Sequence, residues 1–94
     1  MTKPKDEKLE QTVAERIHGE LDILLRDKTI SASVTGVARF FTFRELPTQE
    51  QRTMGMRFAE LAITIAMLPP SAEVVVALRE LMRARDQALR AVTP

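Results

Sequence analysis

The sequence predicts a mainly α protein, an amphipathic N-terminal helix followed by an antiparallel αα-hairpin, assembled as a homo-oligomer. Three observations carry this. Apolar residues Leu9, Val13, Ile17, Leu21 and Leu24/Leu25 recur at helical spacing through residues 6–27. Thr48 followed by Gln51 has the pattern of a capping box opening a long helix. Pro69-Pro70-Ser71 then separates two long helical patterns by a connection too short for anything but antiparallel neighbours.

The N-terminal helix, residues 6–27, has a solvated back. Seven acids and six bases lie between Lys3 and Lys28, and Asp22 stands four residues before Arg26, a spacing that favours ion pairing. The connecting segment, residues 28–47, supports two readings. Ile30, Ala32 and Val34 alternate with polar residues as in a strand, while Ile30, Val34, Val37, Ala38 and Phe41 also fit a helical stripe broken only by Gly36.

The hairpin spans residues 48–92. On its first helix Met54, Phe58, Leu61, Ile65 and Leu68 recur at alternating four and three, the seam of a helix packed lengthwise on another. Pro69 disfavours helix before it, and Ser71 with Glu73 predicts a capped start for the second helix, from about Ala72 to Val92. Near the turn both arms are apolar all round, Ile63 to Leu68 against Val74 to Leu78. Two helices cannot hide that surface, which predicts a further covering layer and, with no disulfide available, assembly of copies.

Length and composition narrow the function. Ninety-four residues suit one domain, 1–94. Fourteen basic against thirteen acidic residues give a net charge of +1, too little to gather polynucleotide by counterion release. With no cysteine and one histidine, neither a disulfide framework nor a His/Cys metal cluster is expected, and no cofactor is implied. The charged N-terminus and the lack of an apolar run of roughly 18 to 20 residues predict a cytoplasmic protein without a membrane span.

No catalytic constellation is legible, so a non-enzymatic role is expected. His18 lies among charges without a nucleophile in register and reads as an exposed helical histidine. Glu50 and Glu60 are out of helix phase for a carboxylate pair. Arg79, Arg83 and Arg90 share a stripe on the last helix, interrupted by Asp86 and with Arg85 lying off it, and read as a solvated face. Phe40-Phe41-Thr42-Phe43-Arg44 differs, because it sets three of four aromatics beside a guanidinium just ahead of a helix start. Aromatic faces stack on nucleobases and arginine forks onto phosphate or a base edge, although the same rings could plug the core over the hairpin's open end.

Phe41-Thr42-Phe43-Arg44, Pro47, Gln51, Leu61-Ala62, Ile65, Pro69-Pro70-Ser71, Glu73, Ala77-Leu78-Arg79, Leu81, Ala84 and Ala88 together form a pattern from Phe41 to Val92. It resembles the helical-hairpin family of small phage anti-defence proteins, the cyclic-nucleotide sponges that oppose CBASS and Thoeris immunity. The resemblance implies a homohexamer that sequesters cyclic di- or trinucleotides, or cyclic ADP-ribose-type signals, in the host cytoplasm without cleaving them. It implies a ligand site at Phe43, Arg44, Arg57 and Phe41. Phe43 takes the place of the family's base-stacking tyrosine, keeping the ring and losing the hydroxyl, and Arg44 follows it. The family's lysine from a neighbouring subunit falls near Phe58 and is absent; Arg57 beside it is the candidate substitute. The N-terminal helix has no counterpart in the shortest members.

A rival expectation is an adaptor that oligomerises through the apolar seam and binds a partner protein through its N-terminal helix. Phe43 and Arg44 separate the two, exposed at a subunit junction in the first case and buried in a core in the second.

Overall fold

The computed structural model describes residues 4–94, with side chains from Gln11 onward. Every regular element among them is helical: α1 (Pro4–Arg26), α2 (Ala32–Ala38), a single 3-10 turn (Arg39–Phe41), α3 (Gln49–Ala66) and α4 (Ala72–Ala91). No helix among the described residues is long and apolar enough to cross a membrane.

The predicted stripe of α1 faces inward. Ile17, Leu21 and Leu24 are buried and Val13 and Leu25 pack against them, while the side chain of Leu9 lies outside the described residues. The predicted Asp22–Arg26 pair forms at 3.2 Å. Past the helix, the Asp27 carboxylate accepts from the Thr29 hydroxyl and amide at 2.6 and 2.9 Å, and these bonds, the hydroxyl's first, hold its pKa below the ordinary carboxylate value.

The ambiguous segment resolves to helix. Ser31 adopts an extended backbone and its hydroxyl accepts from the Val34 amide at 3.3 Å, so the serine that reads as one step of a strand alternation is the cap that starts α2. Val34 and Ala38 point into the core, which is the helical stripe and not the strand face.

α3 starts where the capping signature places it. The Thr48 hydroxyl accepts from the Gln51 amide at 3.1 Å and the Gln51 side chain accepts from the Thr48 amide at 3.2 Å. The buried face of α3, however, is not the predicted seam. Leu61 and Leu68 are exposed, and Met54, Phe58 and Ile65 only half-buried. The buried positions are Gln51, Gly55, Met56, Ala59, Ala62 and Ala66. The small residues of that set form a stripe roughly 110° round the helix from the predicted seam. Side chains this short let neighbouring elements approach closely, and this chain's own layers use that face.

α3 and α4 make the most extensive contact between elements, and the Gln51 side-chain amide donates to the Thr93 hydroxyl at 2.8 Å, tying the start of one helix to the residues past the end of the other. Ser71 occupies the N-cap position of α4 with extended backbone, but its side chain makes no capping hydrogen bond, contrary to expectation; its carbonyl accepts from the Val74 amide at 3.2 Å. The core joins Ile17, Leu21 and Leu24, Val34 and Ala38, Phe41, Phe43, the α3 stripe, and Val74 and Leu78 of α4.

Candidate functional site

The corner between the 3-10 turn and α3 carries the aromatic and arginine motif, and packing fixes its path. Gly55 of α3 lies so close that a Cβ there would stand 2.9 Å from Phe43 Cβ and 2.8 Å from Leu46 Cδ1. The missing side chain is what lets the corner descend onto the helix. The Leu46 amide closes the corner on the Phe43 carbonyl at 3.2 Å.

Two arginines from two helices grip this corner at its ends. Arg85 of α4 donates from Nη2 to the Thr42 carbonyl at 2.7 Å, and Arg52 of α3 donates from Nη1 to the Leu46 carbonyl at 2.8 Å. Both are short, charge-assisted bonds. Arg52 also donates to Gln49 Oε1 at 3.3 Å. Arg85 is only 9% exposed, and its burial pushes the pKa below the usual guanidinium value, with the Asp86 carboxylate 3.7 Å away partly offsetting that.

Beside the corner a cleft of about 620 Å³ opens between α1 and the start of α3, lined by Gln11, Ala14, Phe43, Arg44, Gln49, Arg52, Thr53 and Met56. Phe43 and Met56, both almost fully buried, floor it with little apolar surface, Gln11, Gln49 and Thr53 supply neutral polar groups, and Arg44 and Arg52 positive charge. No carboxylate is among these lining residues. Such a cleft favours a compact anion with an unsaturated or apolar part.

The sequence-predicted site residues are divided by the fold. Phe43 and Arg44 meet at the cleft, Arg44 exposed and Phe43 only 3% exposed, so its ring is chiefly a core side chain. Phe41 is fully buried and lines no part of it. Within one chain it fills the core, where a ring with no exposed surface has no face to offer. The exposed aromatic of the motif is Phe40, with the Arg39 guanidinium 4.9 Å from its ring centroid.

Arg57 lies elsewhere on α3, exposed and 3.7 Å from Glu60, which also takes Arg16 of α1 at 3.6 Å. Within one chain it does not join the cleft. Arg79, Arg83 and Arg90 are exposed, as a solvated face should be, with Glu80 3.9 Å from Arg83. His18 is half-buried on α1 and not fully exposed as expected. No group of three or more His, Cys, Asp or Glu among the described residues could hold a metal ion.

Arg52 and Arg85 are the residues that sequence reasoning missed. For Arg85 a signal exists: it falls in phase with Val74 and Leu78 on the buried face of α4, whereas Arg79, Arg83 and Arg90 do not. Comparison of the chain with protein-family models, with curated proteins and with solved structures finds no match.

Proposed function

We propose that the chain is a non-catalytic binding protein that sequesters a cyclic di- or trinucleotide, or a cyclic ADP-ribose-type signal, without cleaving it, as the sequence resemblance implies. The observation that carries the reading is the cleft in which Arg44 and Arg52 stand over the largely buried Phe43 and Met56, with no carboxylate among its described lining residues. Its volume, about 620 Å³, falls in the range of small-molecule sites. A cyclic nucleotide presents the matching chemistry, a phosphodiester anion joined to flat bases. Arg44 is the residue free to turn toward phosphate, because Arg52 already grips the Leu46 carbonyl.

The same reading makes α3 and α4 an antiparallel hairpin that assembles, as a hexamer if the resemblance extends that far, in the host cytoplasm. The Gln51 to Thr93 hydrogen bond supports the antiparallel arrangement. Assembly is supported by exposed Leu61, Met67, Leu68 and Val76 around the α3–α4 connection, and by the half-buried seam of Met54, Phe58 and Ile65. In an assembly Arg57 of a neighbouring subunit would be available to complete the site, the place the resemblance gives it.

One observation favours the rival adaptor reading: burial of Phe41 and Phe43 in this chain's own core is what that reading requires of the motif. A thermal-shift screen against cyclic dinucleotides, cyclic trinucleotides and cyclic ADP-ribose isomers, with mass-spectrometric recovery of the ligand, separates the two, since a ligand bound only to the folded state raises the melting temperature. A shift with the ligand recovered intact, abolished in Arg44→Ala while the melting temperature of the free variant is unchanged, is the expected result. No shift across the panel would leave the adaptor reading standing instead.

A further inference from the structure

We infer that Arg85 is a positioning residue: its buried guanidinium fixes the corner that carries Phe43 and Arg44 by holding the Thr42 carbonyl, and it does so without a net gain in stability. Its consequence for ligand binding rests on the sequestration reading, whereas its consequence for the corner does not.

Arg85 is poorly satisfied for a buried charge. A guanidinium has five donors. Here Nη2 makes one short bond to Thr42, Nη1 stands 3.7 Å from Asp86, too long for a good hydrogen bond, and Nε is buried with no partner among the described residues. Asp86 itself is about half exposed, so solvent screens the attraction. Buried charges with so little return can often be replaced by apolar side chains of similar size without loss of stability. Global stability is therefore a poor account of this arginine.

What Arg85 does alone is span 43 residues to the carbonyl immediately before Phe43. Arg52 holds the other end, the Leu46 carbonyl. Phe43, Arg44 and Glu45 hang between these two grips, so the direction in which Arg44 leaves the corner is set from both α3 and α4. The neutral Leu46 to Phe43 amide bond closes the corner but does not anchor it to either helix. Releasing the Thr42 end leaves Phe43 seated against Gly55 and frees the backbone on the side facing α4.

The test is amide hydrogen exchange with thermal melting on Arg85→Met and Arg85→Lys, both without ligand. Arg85→Met is expected to melt at or above the wild-type temperature while its Leu46 amide exchanges at least about tenfold faster, the loss of one charge-assisted bond appearing as local opening. Arg85→Lys, which keeps a donor on a long stem, is expected to restore part of the slow exchange. A Leu46 amide that exchanges at the wild-type rate in Arg85→Met overturns the inference. So does an Arg85→Met chain that unfolds or exchanges faster everywhere, because Arg85 would then be a stabilising residue. Accelerated exchange at Leu46 with no ligand found in the panel would uphold the positioning role and remove only the sequestration reading.

Discussion

The two ends of the α3 and α4 pair are finished in different ways. At the end where α3 begins, polar ties close the structure within one chain: the Thr48–Gln51 capping box, Gln51 to Thr93, Arg52 to Leu46, Arg85 to Thr42, and Phe43 pressed onto Gly55. At the end where α4 begins, Ser71 makes no side-chain cap, and Leu61, Met67, Leu68 and Val76 are about half exposed or more. Apolar surface left in water is a standing cost, roughly 25 cal/mol for each Å² that could be covered. The difference teaches that the first end is self-sufficient and carries the cleft, and it is the ground for proposing that the second is completed by another copy.

The comparison breaks first at Phe43. If the closed end is a real core, Phe43→Ala costs about 3–5 kcal/mol of unfolding free energy, read by denaturant titration under conditions that populate the single chain. A loss below about 1 kcal/mol, the scale of an ordinary surface change, would mean that the corner is not packed as described.

Gly55→Ala sharpens the same end. The new methyl would meet Phe43 Cβ at 2.9 Å, a backbone-proximal atom that cannot swing aside. Overpacking of this kind costs about 1–3 kcal/mol, against roughly 1 kcal/mol gained from the better helix former. A net loss with faster exchange at Leu46 is expected; a more stable variant would show that the approach is looser than the distances indicate.

The smallest effect tests a tie outside both ends. Thr29 holds the Asp27 pKa below its ordinary value, so this bond adds stability above the unfolded-state pKa and loses it as pH falls through the lower folded-state value. Thr29→Val should therefore melt slightly below wild type at neutral pH, and the two curves should merge in acid. A gap that persists at the acid end would assign the effect to something other than the carboxylate.

Much of the fold was legible because local signals are written in adjacent residues. The α1 stripe, the Thr48–Gln51 box and the Pro69–Pro70 break each lie within a few positions, and each marks an element close to where it occurs. Residues 29–43 were not decidable, since Ile30, Ala32 and Val34 satisfy period two while Ile30, Val34 and Phe41 satisfy the helical stripe; the Ser31 cap decides for helix.

The α3 seam was misplaced for a different reason. Pattern reading weights large apolar residues, whereas α3 packs Gly55, Ala59, Ala62 and Ala66 inward beside Met56 and leaves Leu61 exposed and Met54, Phe58 and Ile65 half-buried. For the site, Phe43 and Arg44 lie together, and the burial of Phe41 and Phe43 is the core-plug alternative that the motif offers beside a binding patch. The phase of Arg85 on α4 marks it as inward-facing, but the carbonyls that Arg52 and Arg85 grip, 6 and 43 residues away, leave no trace in sequence spacing.

The most direct test of the unequal ends is sedimentation equilibrium of wild type beside a Leu68→Glu/Val76→Glu double variant, with helicity followed by circular dichroism. Both positions are at least half exposed in the single chain, so its fold should survive the added charges. The expected result is a wild-type mass that is a multiple of 10.6 kDa, six-fold if the resemblance holds, and a variant that retains its helicity as a 10.6 kDa monomer. A wild-type chain that sediments as a monomer at every concentration, or a variant that assembles as wild type does, would contradict it.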